Sequence, residues 1–434
     1  MGRHPKKSYV CIDLKSFYAS VECVDRGMDP MTENLVVADP TRCSGTICLA
    51  ITPAMKALGV RNRCRVFQIP SGIEYVMAMP RMARYMEVSA RINALYLRYV
   101  SPDDMYVYSI DECFIDVTPY LRLYGMTSRE MAAFLRQKVF EETGITATVG
   151  VGTNLFLAKV ALDIGAKHAP DGIGVLDERS YREKIWFHQP ITDIWQVGPG
   201  IQRRLARRGI VDMAGVCAAD PAWIKKEFGK SGDYLLDHAW GLEPCTIADI
   251  KAYKPVSHSI SNGQVLAREY SFDEARTVLR EMVDAACLDL CAKGLSCNSV
   301  SIRIGLVWGD DGCREAGRSN KFFQGFFVGG SSKFDQRTTS ARKVMERALL
   351  IYDERVPAGS HIKRLSVALG GLASAECEQL SLFDVKKEEH EGDLVRSAVA
   401  IREKFGKNAL LKGTSLKEGA TMRERNLQIG GHRA

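Results

Sequence analysis

A chain of 434 residues, 46% hydrophobic and 26% charged, carries enough apolar surface for several cores at roughly 150 residues per domain, and its composition excludes wholesale disorder. No run approaches the ~18 consecutive apolar residues of a membrane span, and residues 1–7 carry charge with no apolar stretch of a signal peptide behind them, so a cytoplasmic address with no membrane partner is expected. A net charge of +7, from 59 basic and 52 acidic residues, permits a polyanionic partner without requiring one.

Along the chain, the apolar, β-rich run at residues 9–13 ends in Asp13 and gives way to SFYASVE at 16–22, which can turn into a helix. Two further strand candidates follow, 105–110 resuming as 113–117, and 145–151, with a helix expected over 129–142 between them. Strands and helices mixed in this way predict an α/β or α+β sheet layer. Past residue 174 the pattern changes to short helical pieces, and Gly198-Pro199-Gly200 leads into a helix bearing Arg203, Arg204, Arg207 and Arg208. From Pro255 onward β-like stretches return at 300–307, 322–328 and 362–369, interleaved with helices at 272–292 and 338–352, which predicts a third, compact α+β domain. The tail from Ser374 holds an isolated apolar cluster, Leu380, Leu382 and Phe383, ahead of a charged run at 386–391. Thirteen cysteines are scattered without a Cys-x-x-Cys pair, and Cys287 and Cys291, at helical spacing among leucines, read as core packing rather than a zinc site.

Asp13, Asp111 and Glu112 lie at the ends of apolar strands, where the pleat of a half-buried sheet aims them at one edge. Buried carboxylates need cationic side chains or divalent ions, and two Mg²⁺ held by shared carboxylates are the recurrent solution for in-line phosphoryl transfer. An Asp-Glu pair by itself is as ordinary as a surface turn; the strand context and the third acid favour chemistry. The glycine turn at 198–200 with its basic helix fits a helix-hairpin-helix element, in which backbone N–H groups approach a DNA phosphate. An ordinary helix turn with solvated arginines is the plain alternative.

In their order along nearly the full length, these motifs resemble those of the Y-family, or translesion, DNA polymerases, close to the bacterial UmuC-like branch. Asp13 with Ser16, Phe17, Tyr18 and Ala19 is similar to the family's first motif, and Tyr108 through Asp116 to its second. Gly150, Gly152, Asn154 and Lys159, the 198–200 turn and residues 257–263 recur in the family's order. The resemblance implies a right-hand α+β multidomain fold: a palm of residues 1–30 and 78–180, short fingers at 31–77, a helix-hairpin-helix thumb at 181–250, a little finger at 255–373, and a flexible tail at 374–434. It implies template-directed, low-fidelity DNA synthesis past damaged bases by two-metal nucleotidyl transfer, in the setting of DNA repair and the SOS response. A non-catalytic scaffold that docks on DNA and clamp is the rival reading; it would have lost the acids.

On the same resemblance, Asp13, Asp111, Glu112 and the carbonyl of Leu14 would hold two Mg²⁺. Phe17 would pack beside the incoming deoxynucleoside triphosphate, Tyr18 would exclude a ribose 2′-OH, and Lys56 and Lys159 would meet the triphosphate. Gly198, Gly200, Arg203, Arg204 and Arg207 would grip the primer-template DNA. Thr52-Pro53 stands where relatives often offer an aromatic or Asn, and Pro53 has no hydrogen to donate, so in the fingers only Lys56 carries over. Lys15, where many relatives have a second acid or an amide, reads as non-catalytic. Gln379, Leu380, Leu382 and Phe383 resemble the bacterial sliding-clamp-binding peptide. The implied location is the nucleoid of a bacterial cytoplasm, and the resemblance leaves room for an activating recombinase or accessory subunit.

Overall fold

The computed structural model describes residues 7–41, 45–255, 259–307, 325–377 and 385–434. The clamp-like peptide at 379–383 and residues 257–258 of the last motif lie outside them. No helix among the described residues is long and apolar enough to cross a membrane. The chain divides into two compact units, Met1–Tyr253 with Arg433–Ala434, and Lys254–His432.

In the first unit, β1 (Tyr9–Leu14) is almost wholly apolar and correspondingly buried on both faces. Ser16, at a left-handed φ of 50°, turns the chain sharply into α1 (Phe17–Val24). Next come β2 (Leu35–Val37), β3 (Ala50–Ile51), α2 (Pro53–Ala57) and β4 (Val76–Ala78). The three strands form a small sheet, β3-β2-β4, over its own core of Val36, Ile51, Met55 and Val60. Pro53 opens α2, where its missing N–H costs nothing.

After α3 (Met82–Tyr96) come β5 (Met105–Val107), β6 (Glu112–Asp116), α4 (Thr118–Tyr124), α5 (Ser128–Thr143), β7 (Ala147–Gly152), α6 (Leu155–Val160) and β8 (Ile173–Leu176). The main sheet runs β5-β6-β1-β7-β8, antiparallel except between β7 and β8. The strand expected to run through 105–117 is instead a hairpin. The amides of Tyr108 and Ser109 donate to the Glu112 carbonyl at 2.9 and 3.1 Å, so the chain reverses just before the acid pair.

α6 lies against this sheet at a distance only glycine allows. A Cβ on Gly150 would sit 2.0 Å from the Ala158 carbonyl oxygen, and one on Gly152 would sit 2.1 Å from the Ala158 amide nitrogen. α6 then widens into a π-helical turn, Ala161–Gly165, and tightens into a 3₁₀ turn, Ala166–His168. Beyond β8 the unit is helical: α7 (Glu178–Lys184), α8 (Pro199–Ala206), α9 (Met213–Ala218), α10 (Pro221–Phe228), α11 (Lys230–Ala239) and α12 (Ile247–Ala252). Leu205, Met213, Val216, Ile224 and Leu235 form the core of these helices.

The second unit contains β9 (Ile260–Tyr270), α13 (Phe272–Ala292), β10 (Leu295–Val307), β11 (Gly325–Thr338), α14 (Ala341–Arg355) and β12 (Ile362–Gly370). Its sheet order is β11-β10-β12-β9, and Val278, Met282, Val300, Ile304, Val344 and Leu365 share one core between the sheet and its two helices. Cys287 belongs to that core.

The flexible tail expected from residue 374 takes a different form in the described residues, which hold α15 (Val385–Phe405) and α16 (Met422–Arg425). The buried Glu281 of α13 accepts hydrogen bonds from the amides of Thr421 and Met422 at 2.7 and 3.1 Å, and Lys412 pairs with Asp284 at 2.6 Å. These anchors join residues more than a hundred positions apart, which a local reading of the tail does not reveal.

Candidate active site

Antiparallel pairing of β1 with β6 sets Asp13 directly across from Glu112, and the Leu14 amide donates to the Asp111 carbonyl at 2.9 Å. Backbone register alone therefore gathers the three acids and Leu14 at one end of the main sheet. Burial, and then the charge of Glu112, push the Asp13 carboxyl up to about 7. Glu112 accepts a hydrogen bond from Lys159, an α6 residue buried to 6% exposure, and Lys159 also pairs with Asp163 at 3.1 Å. Burial opposes the Lys159 ammonium, but Glu112 and Asp163 outweigh it and raise its pKa. Asp111 accepts from the Ser109 hydroxyl at 2.6 Å, and that hydroxyl in turn accepts from the Glu112 amide at 3.1 Å, which braces the hairpin turn.

Among the described residues no three His, Cys, Asp or Glu side chains converge closely enough to hold a metal ion. Lys159 holds Glu112, and Ser109 holds Asp111. The donor set nevertheless fits a hard divalent cation, being oxygen-only, from adjacent strand ends, and including in Asp13 a desolvated carboxylate whose charge nearby acids oppose.

Of the other expected site residues, Phe17 lies in the core at 2% exposure, so no open face of its ring is left beside a nucleotide. The Tyr18 ring stacks on Tyr85, with centroids 4.5 Å apart and planes 16° from parallel. The Tyr85 hydroxyl donates to the buried Glu22 at 2.7 Å, and Arg81 donates to the same carboxylate at 2.9 Å. Lys56 lies within electrostatic reach of Asp13; desolvation lowers its pKa while Asp13 pulls it back up. The Thr52 hydroxyl accepts from the Leu35 amide at 3.2 Å, which ties it to the small sheet.

Lys159 departs from the expected triphosphate contact, because it is buried and its ammonium is committed to Glu112 and Asp163. Lys167, in the 3₁₀ turn that follows, is exposed, pairs with Asp163 at 2.9 Å and acts electrostatically on Asp13. It was missed at the sequence level, although Lys159, Asp163 and Lys167 form an i, i+4, i+8 ladder of alternating charge. Tyr85 left no local signal, since its stacking on Tyr18 and its hydrogen bond to Glu22 join α3 to α1.

On α8 and in the turn that follows it, the four arginines divide. Arg204 donates to the Glu227 carbonyl at 2.9 Å with its guanidinium 4.2 Å from the Phe228 ring centre, and Arg208 lies 4.7 Å from that of Trp223. Arg203 and Arg207 are exposed with no ring beneath them among the described residues, and Arg208 is exposed apart from its contact with Trp223. A Cβ at Gly198 or Gly200 would meet nothing within 4 Å, so no internal crowding demands these glycines, and their bare backbone is open to close approach by a ligand.

Two family descriptions match the chain: "impB/mucB/samB family" over residues 12–163 and "impB/mucB/samB family C-terminal domain" over residues 257–382. A putative UV-damage repair protein, UvrX, of Bacillus subtilis (strain 168) is 30% identical over 100% of this chain and 99% of its own length. DNA polymerase IV 2 of the same organism is 31% identical over 98% of this chain and 99% of its own. A solved Y-family DNA polymerase chimera superposes with a TM-score of 0.60 at 22% identity, over 85% of this chain and 99% of its own, a likeness of fold.

Proposed function

Because the chain belongs to the Y-family of DNA polymerases, the impB/mucB/samB family, we propose that it is a template-directed DNA polymerase that builds DNA from deoxynucleoside triphosphates and accepts damaged templates. The observation that carries this reading is the cross-strand pairing of Asp13 with Glu112 beside Asp111, with Lys56 and Lys167 in electrostatic reach. On this reading the main sheet is the palm, the small sheet with α2 the fingers, α8 to α11 the thumb and the second unit the little finger.

Asp13, Asp111 and Glu112 would hold two Mg²⁺, which would activate the primer hydroxyl and steady the departing diphosphate. The first-turn amides of α1 have no intrahelical acceptors and start three residues after Leu14, which suits them to triphosphate oxygens. The Ser16 hydroxyl beside them is buried without a partner. Lys56 and Lys167 offset the triphosphate charge, a role that passes from Lys159 to Lys167. Tyr18, braced by Tyr85, bounds the sugar. The small sheet has strands of only two or three residues and, among the described residues, one short α-helix and the 3₁₀ turn Val66–Gln68, little structure with which to enforce base-pair shape. That favours tolerance over fidelity.

A scaffold without chemistry would have no reason to bear the cost of gathering three acids at one sheet end. Primer extension by the purified chain with Mg²⁺, on intact and abasic templates, decides between the two: incorporation on both is expected, and none on either leaves only the scaffold. We also propose that residues 379–383 bind a bacterial sliding clamp, supported by the likeness of Gln379, Leu380, Leu382 and Phe383 to the clamp-binding peptide. Leu382→Ala with Phe383→Ala is expected to remove clamp stimulation of extension and leave clamp-free extension unchanged.

A further inference from the structure

We propose that Lys159 is an internal counter-ion of the acidic cluster, which holds Glu112 while no divalent ion is bound and passes to Asp163 when one binds. The inference rests on the reading that these acids take a divalent cation. An ammonium has three hydrogens to donate and no acceptor, and a buried one keeps its charge best with a carboxylate in reach. Lys159 is buried to 6% exposure and has two such partners, Glu112 on β6 and Asp163 at 3.1 Å. They lie on different elements, so it can let go of one while keeping the other.

The backbone around it is fixed. Gly150 and Gly152 bring α6 so close to the sheet that the stem of Lys159 starts from a rigid point, and the π-helical turn sets Asp163 one turn further on. Exchange of partners therefore needs only rotation about the side-chain bonds. With Lys159 on Glu112, the mutual repulsion of Asp13 and Glu112 is relieved. A divalent ion that takes Glu112 would repel the ammonium, and Asp163 is the acceptor to which it retreats. Lys167, at 2.9 Å from Asp163, provides a control cation, because it touches Asp163 without touching Glu112.

The test is Mn²⁺ binding to the full chain without DNA or nucleotide, read by loss of the free-ion EPR signal. Lys159→Met is expected to tighten Mn²⁺ binding about tenfold, since the ion no longer displaces an ammonium, and Lys167→Met to change it by less than about threefold. Asp163→Asn is expected to weaken binding several-fold in the presence of Lys159 and to have no effect in the Lys159→Met background. Additive effects of the two substitutions, or equal tightening by Lys167→Met, would mean only the general field of the charges is at work and would overturn the proposal. So would weaker binding in Lys159→Met, which would make the lysine a brace for Glu112. Should Lys159→Met fail to fold, Asp163→Asn still decides, because unchanged Mn²⁺ affinity in it removes the second acceptor from the scheme. Glu112→Gln separates the two levels: if it leaves Mn²⁺ affinity untouched, the metal reading falls together with this one, and if it abolishes binding while the cycle is additive, this one falls alone.

Discussion

At the acidic end of the main sheet Glu112 and Asp163 are answered by Lys159 and Asp111 by Ser109, while Asp13, without such a partner among the described residues, is pushed up to about 7. On α8 and the turn after it, in the same unit, only two of four arginines are answered, Arg204 and Arg208 through Phe228 and Trp223, while Arg203 and Arg207 face water with no ring beneath them among the described residues. The difference follows from desolvation. A carboxylate taken out of water must find a partner in the fold or lose its charge, whereas a surface guanidinium stays solvated until a polyanion arrives. On the proposed reading, chemistry and grip thus sit on the same unit under different physical rules, and substitutions in the two places are expected to fail differently.

The largest contrast is in rate. Asp13→Asn, Asp111→Asn or Glu112→Gln is expected to lower single-turnover incorporation by about 10³-fold or more, as for removal of a group that stabilises transition-state charge, while primer-template affinity stays within about twofold. No substitution on α8 should slow the step once DNA is bound. A folded acid variant with a near-normal rate would remove the chemistry from this sheet end.

The same substitution, Gly→Ala, should then divide the two regions by stability. In Gly150→Ala the new methyl would lie 2.0 Å from a carbonyl oxygen of α6, and a loss of ~3 kcal/mol or more is expected, seen as a lower urea midpoint. In Gly200→Ala nothing lies within 4 Å, so stability should hold or rise by about 0.5 kcal/mol, with DNA affinity falling. A destabilised Gly200→Ala would mean the thumb glycine serves the fold rather than a phosphate.

What could be read in advance follows the same line. The acids were legible because strand alternation and a carboxylate at each strand end are local patterns, and the expected helix at 272–292 coincides with α13. The hairpin at 108–111 was hidden because its turn is made by Ser109 hydrogen bonds in a β-rich run with no Gly or Pro to mark it. The burial of Lys159 and its pairing with Glu112 and Asp163 were hidden because burial depends on how closely α6 meets Gly150 and Gly152, a tertiary fact. The α8 arginines were legible as a group, but their division into stacked and free required knowing where Phe228 and Trp223 pack.

Tyr18 stands at the acidic end yet is held by aromatic stacking instead of charge, so its loss should change selectivity more than rate. Tyr18→Ala is expected to raise ribonucleotide incorporation relative to deoxynucleotide by roughly tens-fold, on the order of 2 kcal/mol. Unchanged discrimination in single-turnover assays would leave the ring as packing for Tyr85 alone.

The smallest effect, and the finest division, lies within α8. Arg203 and Arg207 are free to meet phosphates, and each contact they make should add up to ~0.9 to the slope of log K against log salt. Arg203→Gln with Arg207→Gln is therefore expected to flatten that slope by up to about two and to weaken binding uniformly across sequences, with the urea midpoint unmoved. Arg204→Gln with Arg208→Gln should do the reverse. The guanidinium of Arg204 covers Phe228 and caps the Glu227 carbonyl, and that of Arg208 covers Trp223, so their loss removes cation–π contacts of roughly 0.5–1 kcal/mol each. Their charge is spent on the fold, and the salt slope should scarcely change. Equal slope changes in the two double variants would show that the stacked arginines also reach the DNA, and the two-and-two division of the helix would then not hold.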